Sequence, residues 1–149
     1  MKTLTANGVD SRSGPLAALL LRLTLGVMFL AHGLVLKVLT YSLAGTAAFF
    51  VNVGLPGWLA YVTALAEIAG GLLLILGVQA RWVALALSPI LLGALIWVHG
   101  ANGWVFTAPN GGWEYPAYLF VLCVAQTLLG DGPYAAMPSR LPRFLRSQP

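Results

Sequence analysis

The chain has 149 residues, of which 59% are hydrophobic and only 8% are charged, about a third of the ~25% charged residues usual in globular proteins. This composition excludes a soluble domain, because too few charged side chains are available to cover a surface in water. The net charge of +4 does not indicate nucleic-acid binding, since so few basic residues cannot line a nucleic-acid backbone. The single cysteine, Cys123, excludes an intramolecular disulfide and a thiolate metal cluster. We therefore predict no metal site, and any redox role needs a cofactor from outside the chain.

Four apolar segments predict transmembrane helices. A bilayer core of about 30 Å requires roughly 20 helical residues, and the segments 16–37, 58–78, 82–99 and 114–130 meet or approach this length. Between the first two, Ala44 to Val53 is apolar but too short to span, which favours an interfacial or re-entrant helix. The predicted fold is an all-α integral membrane four-helix bundle. Residues 1–133 form its single domain, and residues 134–149 form a basic, Pro-rich cytoplasmic tail.

Lysine and arginine residues predict the orientation of these helices. One predicted side of the membrane carries most of them, whereas the other side has only Lys37. By the positive-inside rule, the basic side is cytoplasmic, so both termini lie in the cytoplasm of a bacterial-type plasma membrane. The even number of spans agrees with this topology. The residues on the basic side are Lys2, Arg12, Arg81, Arg140, Arg143 and Arg146.

Ionisable side chains at membrane depth are costly and are expected to face protein, a cavity or a partner. At 100° per residue, Gly26 and Gly33 share a face with Arg22, and Gly71 shares a face with Glu67. We expect these two faces to contact each other and Arg22 to form an ion pair with Glu67. That pair could either fix helix register or handle protons at a ligand pocket. The ionisable residues at membrane depth are Arg22, His32, Lys37, Glu67, His99 and Glu114.

His32 is a competing partner for Glu67, since both are predicted in the outer half of the membrane. Lys37 follows His32 by five residues, which is about 140° of rotation in an α-helix. We therefore expect His32 and Lys37 to point to different sides of the first helix.

Pro89 is expected to kink the third helix and to free the carbonyl of Leu85 four residues earlier. Ser88 can then either join His99 on the polar face of this helix or bond to its own helix backbone.

Several motifs occur in order between Leu21 and Tyr134. They are Leu21-Arg22-Leu23, Phe29-Leu30-Ala31-His32-Gly33, Phe49-Phe50 with Gly54-Leu55-Pro56, Ala66-Glu67 with Gly70-Gly71, and Asn110-Gly111-Gly112-Trp113-Glu114-Tyr115-Pro116. Together they resemble the DoxX family of small four-helix membrane proteins. One departure is Lys37, which this pattern would place four rather than five residues after His32. The resemblance implies a membrane location and an association with quinone-linked redox systems, including subunits of thiosulfate:quinone oxidoreductase and partners of membrane oxidoreductase complexes.

These observations lead to a functional hypothesis. We predict a DoxX-like inner-membrane subunit or partner of a quinone-linked oxidoreductase. Its quinone pocket lies in the outer half and comprises His32, Glu67, His99 and Glu114, with Arg22 paired to Glu67. A haem is disfavoured, because the two histidines differ in depth by about 7–8 Å. The alternatives are a non-catalytic membrane scaffold or assembly protein and a small-solute transporter, although no inverted repeat supports transport. Whether the chain is itself an enzyme stays open.

Overall fold

A computed structural model describes residues 10–140, so Lys2, Arg143 and Arg146 lie outside the described residues. Within them the chain is helical and forms no β-strand. Helix α1 spans Ser13–Leu30 and continues directly into a π-helix, Ala31–Thr40, which is called the π-helix below. Helices α2 and α3 follow at Ser42–Asn52 and Trp58–Leu76. Helix α4, Ala80–Gly93, continues into a short π-helix, Ala94–His99, and a 3₁₀ turn, Gly100–Asn102, and α5 spans Glu114–Leu129.

Three helical segments are long and apolar enough to cross a membrane. They are Ser13–Thr40, Trp58–Leu76 and Ala80–Asn102, with mean hydropathies of 1.9 to 2.0. At most a third of each segment is buried inside the protein, so most of its apolar surface faces outward, as expected of helices in lipid. The fourth predicted span is α5, which is apolar but has only 16 residues. The prediction of an all-α membrane bundle is confirmed.

The two glycine-containing faces contact each other as predicted. A Cβ atom at Gly71 of α3 would lie 2.8 Å from the Gly26 carbonyl oxygen of α1. A Cβ at Gly33 would lie 2.9 Å from the Cβ of Glu67. Only glycine allows the helices to approach so closely. The side chains of Leu25, Phe29, Leu74, Leu87 and Cys123 fill the core beside this contact.

The short helix predicted between the first two spans is α2. It packs against α3 and the π-helix, and its buried Thr46 hydroxyl donates to the Lys37 carbonyl oxygen at 3.2 Å. In α4, the Ser88 hydroxyl donates to the Leu85 carbonyl oxygen at 2.8 Å. Of the two roles predicted for Ser88, the structure therefore shows the bond to its own helix. This bond gives the Leu85 carbonyl oxygen the donor that Pro89, which has no N–H group, cannot provide.

The bundle has two distinct ends. We call the end that holds residues 10–14 and 131–140 the terminal end, and the end that holds residues 41–57 and 103–113 the loop end. At the terminal end, Met137 N donates to the Gly77 carbonyl oxygen at 3.1 Å and Gln79 N donates to the Met137 carbonyl oxygen at 2.8 Å. The first residues of the predicted tail, 134–140, are therefore packed on the bundle, and residues 141–149 lie outside the described residues.

Asp131 organises this packed segment. Its carboxylate accepts hydrogen bonds from Ser139 N at 2.7 Å and from Arg81 N, at the start of α4, at 3.3 Å. Burial alone would raise the pKa of Asp131, but these hydrogen bonds and one from the Ser139 hydroxyl hold the pKa below its usual value. The carboxylate thus caps the N-terminus of α4 and ties the segment after α5 to it.

Candidate functional site

An ion pair lies near the loop end, between the π-helix and α3. Lys37 Nζ is 2.5 Å from Glu67 Oε2, and the two side chains are 17% and 5% exposed. The partner of Glu67 is therefore Lys37, and the predicted Arg22–Glu67 ion pair is wrong. Within residues 10–140 this is the one salt bridge between side chains, and its carboxylate is nearly buried.

Arg22 points toward the opposite end of the bundle. Its Nη1 donates to the Asp131 carbonyl oxygen at 2.7 Å, and a Cβ at Gly77 would overlap its guanidinium group. Gly77 follows Glu67 by ten residues, which is about 15 Å along α3. Helical side chains lean toward the N-terminus of their helix, so the long Arg22 side chain extends toward the terminal end and away from Glu67.

The π-helix brings Lys37 to Glu67. Its hydrogen bonds run from residue i+5 to residue i, as in the bond from Tyr41 N to the Leu36 carbonyl oxygen at 2.9 Å that closes it. Residues five apart therefore lie on one side of a π-helix, whereas in an α-helix they diverge. The expectation that His32 and Lys37 point to different sides is wrong for this reason. The sequence carried one sign of the π-helix: Lys37 follows His32 by five residues, one more than in the family pattern that the chain resembles.

His32 and Tyr115 lie on the same side of the bundle as the ion pair. His32 Nδ1 is 2.9 Å from the Met28 carbonyl oxygen. The His32 ring stacks on that of Tyr115, with centroids 6.3 Å apart and planes 25° apart. Gly33, the residue after His32, lies against Glu67, since a Cβ atom there would be 2.9 Å from the Glu67 Cβ. We call His32, Lys37, Glu67 and Tyr115 the loop-end cluster. Sequence reasoning missed the roles of Lys37 and Tyr115, although Tyr115 belongs to one of the quoted motifs.

His99 and Glu114 contact the loop of residues 103–113. His99 Nδ1 is 2.8 Å from the Gly111 carbonyl oxygen, and Phe106 N donates to Glu114 Oε2 at 3.2 Å. Asn102 Nδ2 also donates to the Gly111 carbonyl oxygen, at 3.0 Å. These bonds account for both residues as anchors of the loop. Their membership of a quinone pocket stays a prediction.

The loop-end cluster combines three kinds of chemistry. Glu67 accepts hydrogen bonds and can take up a proton, Lys37 donates, and the neutral imidazole of His32, with Nδ1 bonded to the Met28 carbonyl oxygen, accepts at its free nitrogen Nε2. Tyr115 is 47% exposed, so a small molecule can reach the aromatic rings from outside the bundle. Within residues 10–140, no group of three His, Cys, Asp or Glu side chains is placed to hold a metal ion.

A bundle of long apolar helices with a buried ion pair near one end defines a small polytopic membrane protein. The DoxX family model matches residues 17–100, more than half of the 149 residues, and the chain belongs to this family. The matched residues include His32, Lys37 and Glu67 but not Tyr115.

Among curated proteins, the chain is similar to "Putative oxidoreductase CatD" of Bacillus subtilis (strain 168). The two are 38% identical over 88 residues, which are 59% of this chain and 63% of the relative. The chain thus matches less than two thirds of the relative's length. No solved structure matches the chain significantly.

Proposed function

We propose that this protein is a small subunit or partner of a quinone-linked membrane oxidoreductase and that its loop-end cluster binds the quinone head group. The observation that carries the proposal is the Lys37–Glu67 ion pair, with a carboxylate that is only 5% exposed. Ionisable groups at membrane depth cost several kcal/mol. The ion pair is not required to set the register of α1 and α3, because the contact between Gly26 and Gly71 already fixes how these helices approach each other.

The cluster suits a quinone in both polarity and shape. A quinone has a planar ring with two oxygen atoms, and its apolar tail keeps it in the bilayer. Lys37 can donate a hydrogen bond to a quinone oxygen, and Glu67 can accept one from a hydroxyl group of the reduced form. The faces of His32 and Tyr115 offer apolar surface for the ring. The exposure of Tyr115 leaves this surface accessible to a molecule dissolved in the membrane.

The relative from Bacillus subtilis supports redox chemistry, since its name describes an oxidoreductase. In this proposal electrons come from a membrane or membrane-associated partner protein, and the chain contributes the quinone site.

The basic residues support a location in a bacterial plasma membrane with a cytoplasmic terminal end. Arg12, Arg81 and Arg140 lie at that end, and Lys37, near the other end, is neutralised by Glu67.

The experiment measures quinone that stays with the protein. The chain is purified from native membranes in mild detergent, its lipids are extracted, and quinone per protein is quantified. We expect quinone in the wild type and little in Glu67→Gln. The matched control is Asp10→Asn, which also converts a carboxylate to an amide but at the terminal end, where Asp10 Oδ1 accepts from Arg12 N and Ser13 N, and it should retain quinone.

A wild-type protein free of quinone would contradict the proposal and favour the scaffold alternative. Equal retention by Glu67→Gln and Asp10→Asn would show that quinone binds away from Glu67.

A further inference from the structure

We propose that the loop-end cluster prefers the reduced, dihydroxy-aromatic form of its ligand, a quinol, over the oxidised quinone. This inference rests on the proposed function and adds which redox form the site selects. The group responsible is Nε2 of His32, which acts as a hydrogen-bond acceptor.

The hydrogen bond of the other ring nitrogen determines the role of Nε2. His32 Nδ1 is 2.9 Å from the Met28 carbonyl oxygen, and a carbonyl oxygen can only accept. Nδ1 therefore carries the proton, and in the neutral imidazole Nε2 holds a lone pair. Among residues 10–140, no protein group donates to Nε2. A ligand that approaches this nitrogen meets an acceptor.

The ion pair extends this bias. A carboxylate has only acceptor sites, so Glu67 also requires a donor from the ligand. Lys37 is the cluster's ammonium donor, and Glu67 already receives its hydrogen bond at 2.5 Å. Lys37 keeps two further N–H groups and the Tyr115 hydroxyl can also donate, so the preference for a donating ligand arises at the positions of His32 Nε2 and Glu67 and not from the cluster as a whole.

Quinol and quinone differ in whether their oxygen atoms can donate hydrogen bonds. The hydroxyl groups of a quinol donate hydrogen bonds, whereas the carbonyl oxygens of a quinone only accept them. A quinone oxygen opposite His32 Nε2 or Glu67 would leave two desolvated acceptors facing each other. Sites built to hydrogen-bond a hydroxyl group discriminate strongly against analogues that lack it.

The imidazole is also held in place for this role. The bond to Met28 fixes one edge of the ring, and the stack on Tyr115, with planes 25° apart, fixes its face. Nε2 therefore keeps one direction without a bound ligand, which lowers the entropy lost on binding.

The test compares the affinity of both redox forms in lipid nanodiscs, with a short-chain 1,4-benzoquinone and its quinol under anaerobic conditions. We expect the wild type to bind the quinol about tenfold more tightly, which corresponds to a rise of about 30 mV in the potential of the bound two-electron couple. In His32→Asn, the amide can still donate to Met28 but the Nε2 acceptor is lost. Quinol affinity should then fall roughly three- to tenfold, and quinone affinity should change little.

The control is Thr24→Ala, which removes another side chain of the same membrane-crossing segment that bonds to a carbonyl oxygen four residues earlier, that of Leu20, and it should alter neither affinity. Equal or tighter binding of the quinone by the wild type would overturn this inference but leave the proposed function standing. Binding of neither form would overturn both.

A second measurement does not depend on the folding of His32→Asn. The chain has two histidines, so His99→Asn leaves His32 as the sole histidine, and its ¹⁵N NMR shifts report which nitrogen is protonated. We expect the proton on Nδ1. A proton on Nε2 would overturn the inference.

Discussion

The Lys37–Glu67 ion pair allows a quantitative prediction for the substitution Lys37→Met. The Glu67 side chain is 5% exposed and accepts a 2.5 Å hydrogen bond from Lys37. Removal of the lysine charge leaves the carboxylate buried without a counter-ion, which typically costs 3–5 kcal/mol of unfolding free energy. Glu67→Gln leaves Lys37 unpaired instead. We expect a smaller loss, about 2–3 kcal/mol, because Lys37 is 17% exposed and can reach water with its flexible side chain.

The double variant Lys37→Met/Glu67→Gln should be more stable than the sum of the two losses predicts. It carries no buried charge, and a buried ion pair replaced as a unit is often close to neutral. We expect a coupling free energy of at least about 3 kcal/mol, the upper end of the usual range for residues in contact, because two single losses that sum to about 5–8 kcal/mol would largely disappear in the double variant. Reversible unfolding in mixed micelles, monitored by circular dichroism against denaturant concentration, measures all four proteins.

A second cycle serves as the control. Arg22→Met combined with Glu67→Gln should be additive within about 0.5 kcal/mol, since the Arg22 guanidinium lies against Gly77, about 15 Å from Glu67 along α3. Additive losses for Lys37 and Glu67, or a coupling above about 1 kcal/mol between Arg22 and Glu67, would refute the pairing in the structure.

Two further predictions concern the helix contact and the terminal end. Gly71→Ala should lower the free energy of unfolding by about 1–3 kcal/mol, because the new Cβ would lie 2.8 Å from the Gly26 carbonyl oxygen. Gly93→Ala, where a Cβ would meet no atom within 4 Å, should be neutral or stabilising by up to about 1 kcal/mol. Equal effects of the two substitutions on unfolding would contradict the close contact. The lowered pKa of Asp131 means that its stabilisation is complete above about pH 4 and is lost as the pH falls through the folded-state pKa. Hydrogen exchange at Ser139, corrected for the intrinsic rate, should stay slow from pH 7 to about pH 5 and accelerate below pH 4, and loss of protection at neutral pH would refute this.

The helical architecture could be predicted from the sequence because it depends on local composition and periodicity. Apolar length identified the spans, and rotation by 100° per residue placed Gly26, Gly33 and Gly71 on the faces that meet. Small residues on one face have a direct structural consequence, since they allow the helix backbones to approach each other.

The partners of the charged residues were harder to predict. Estimates of depth from residue count ignore the direction of a long side chain, so Arg22 was assigned to Glu67 although it extends to the carbonyl oxygen of Asp131. That oxygen belongs to the segment after α5, whose packing the apolar pattern does not reveal. The Lys37–Glu67 pair depends on a π-helix, and a constant rotation of 100° per residue cannot represent one.

The amount of quinone that the wild-type chain retains from its native membrane tests the central claim most directly. We expect about one quinone molecule per chain, lost in Glu67→Gln but kept in Asp10→Asn. A wild-type protein that is folded and free of quinone in native lipid would contradict it.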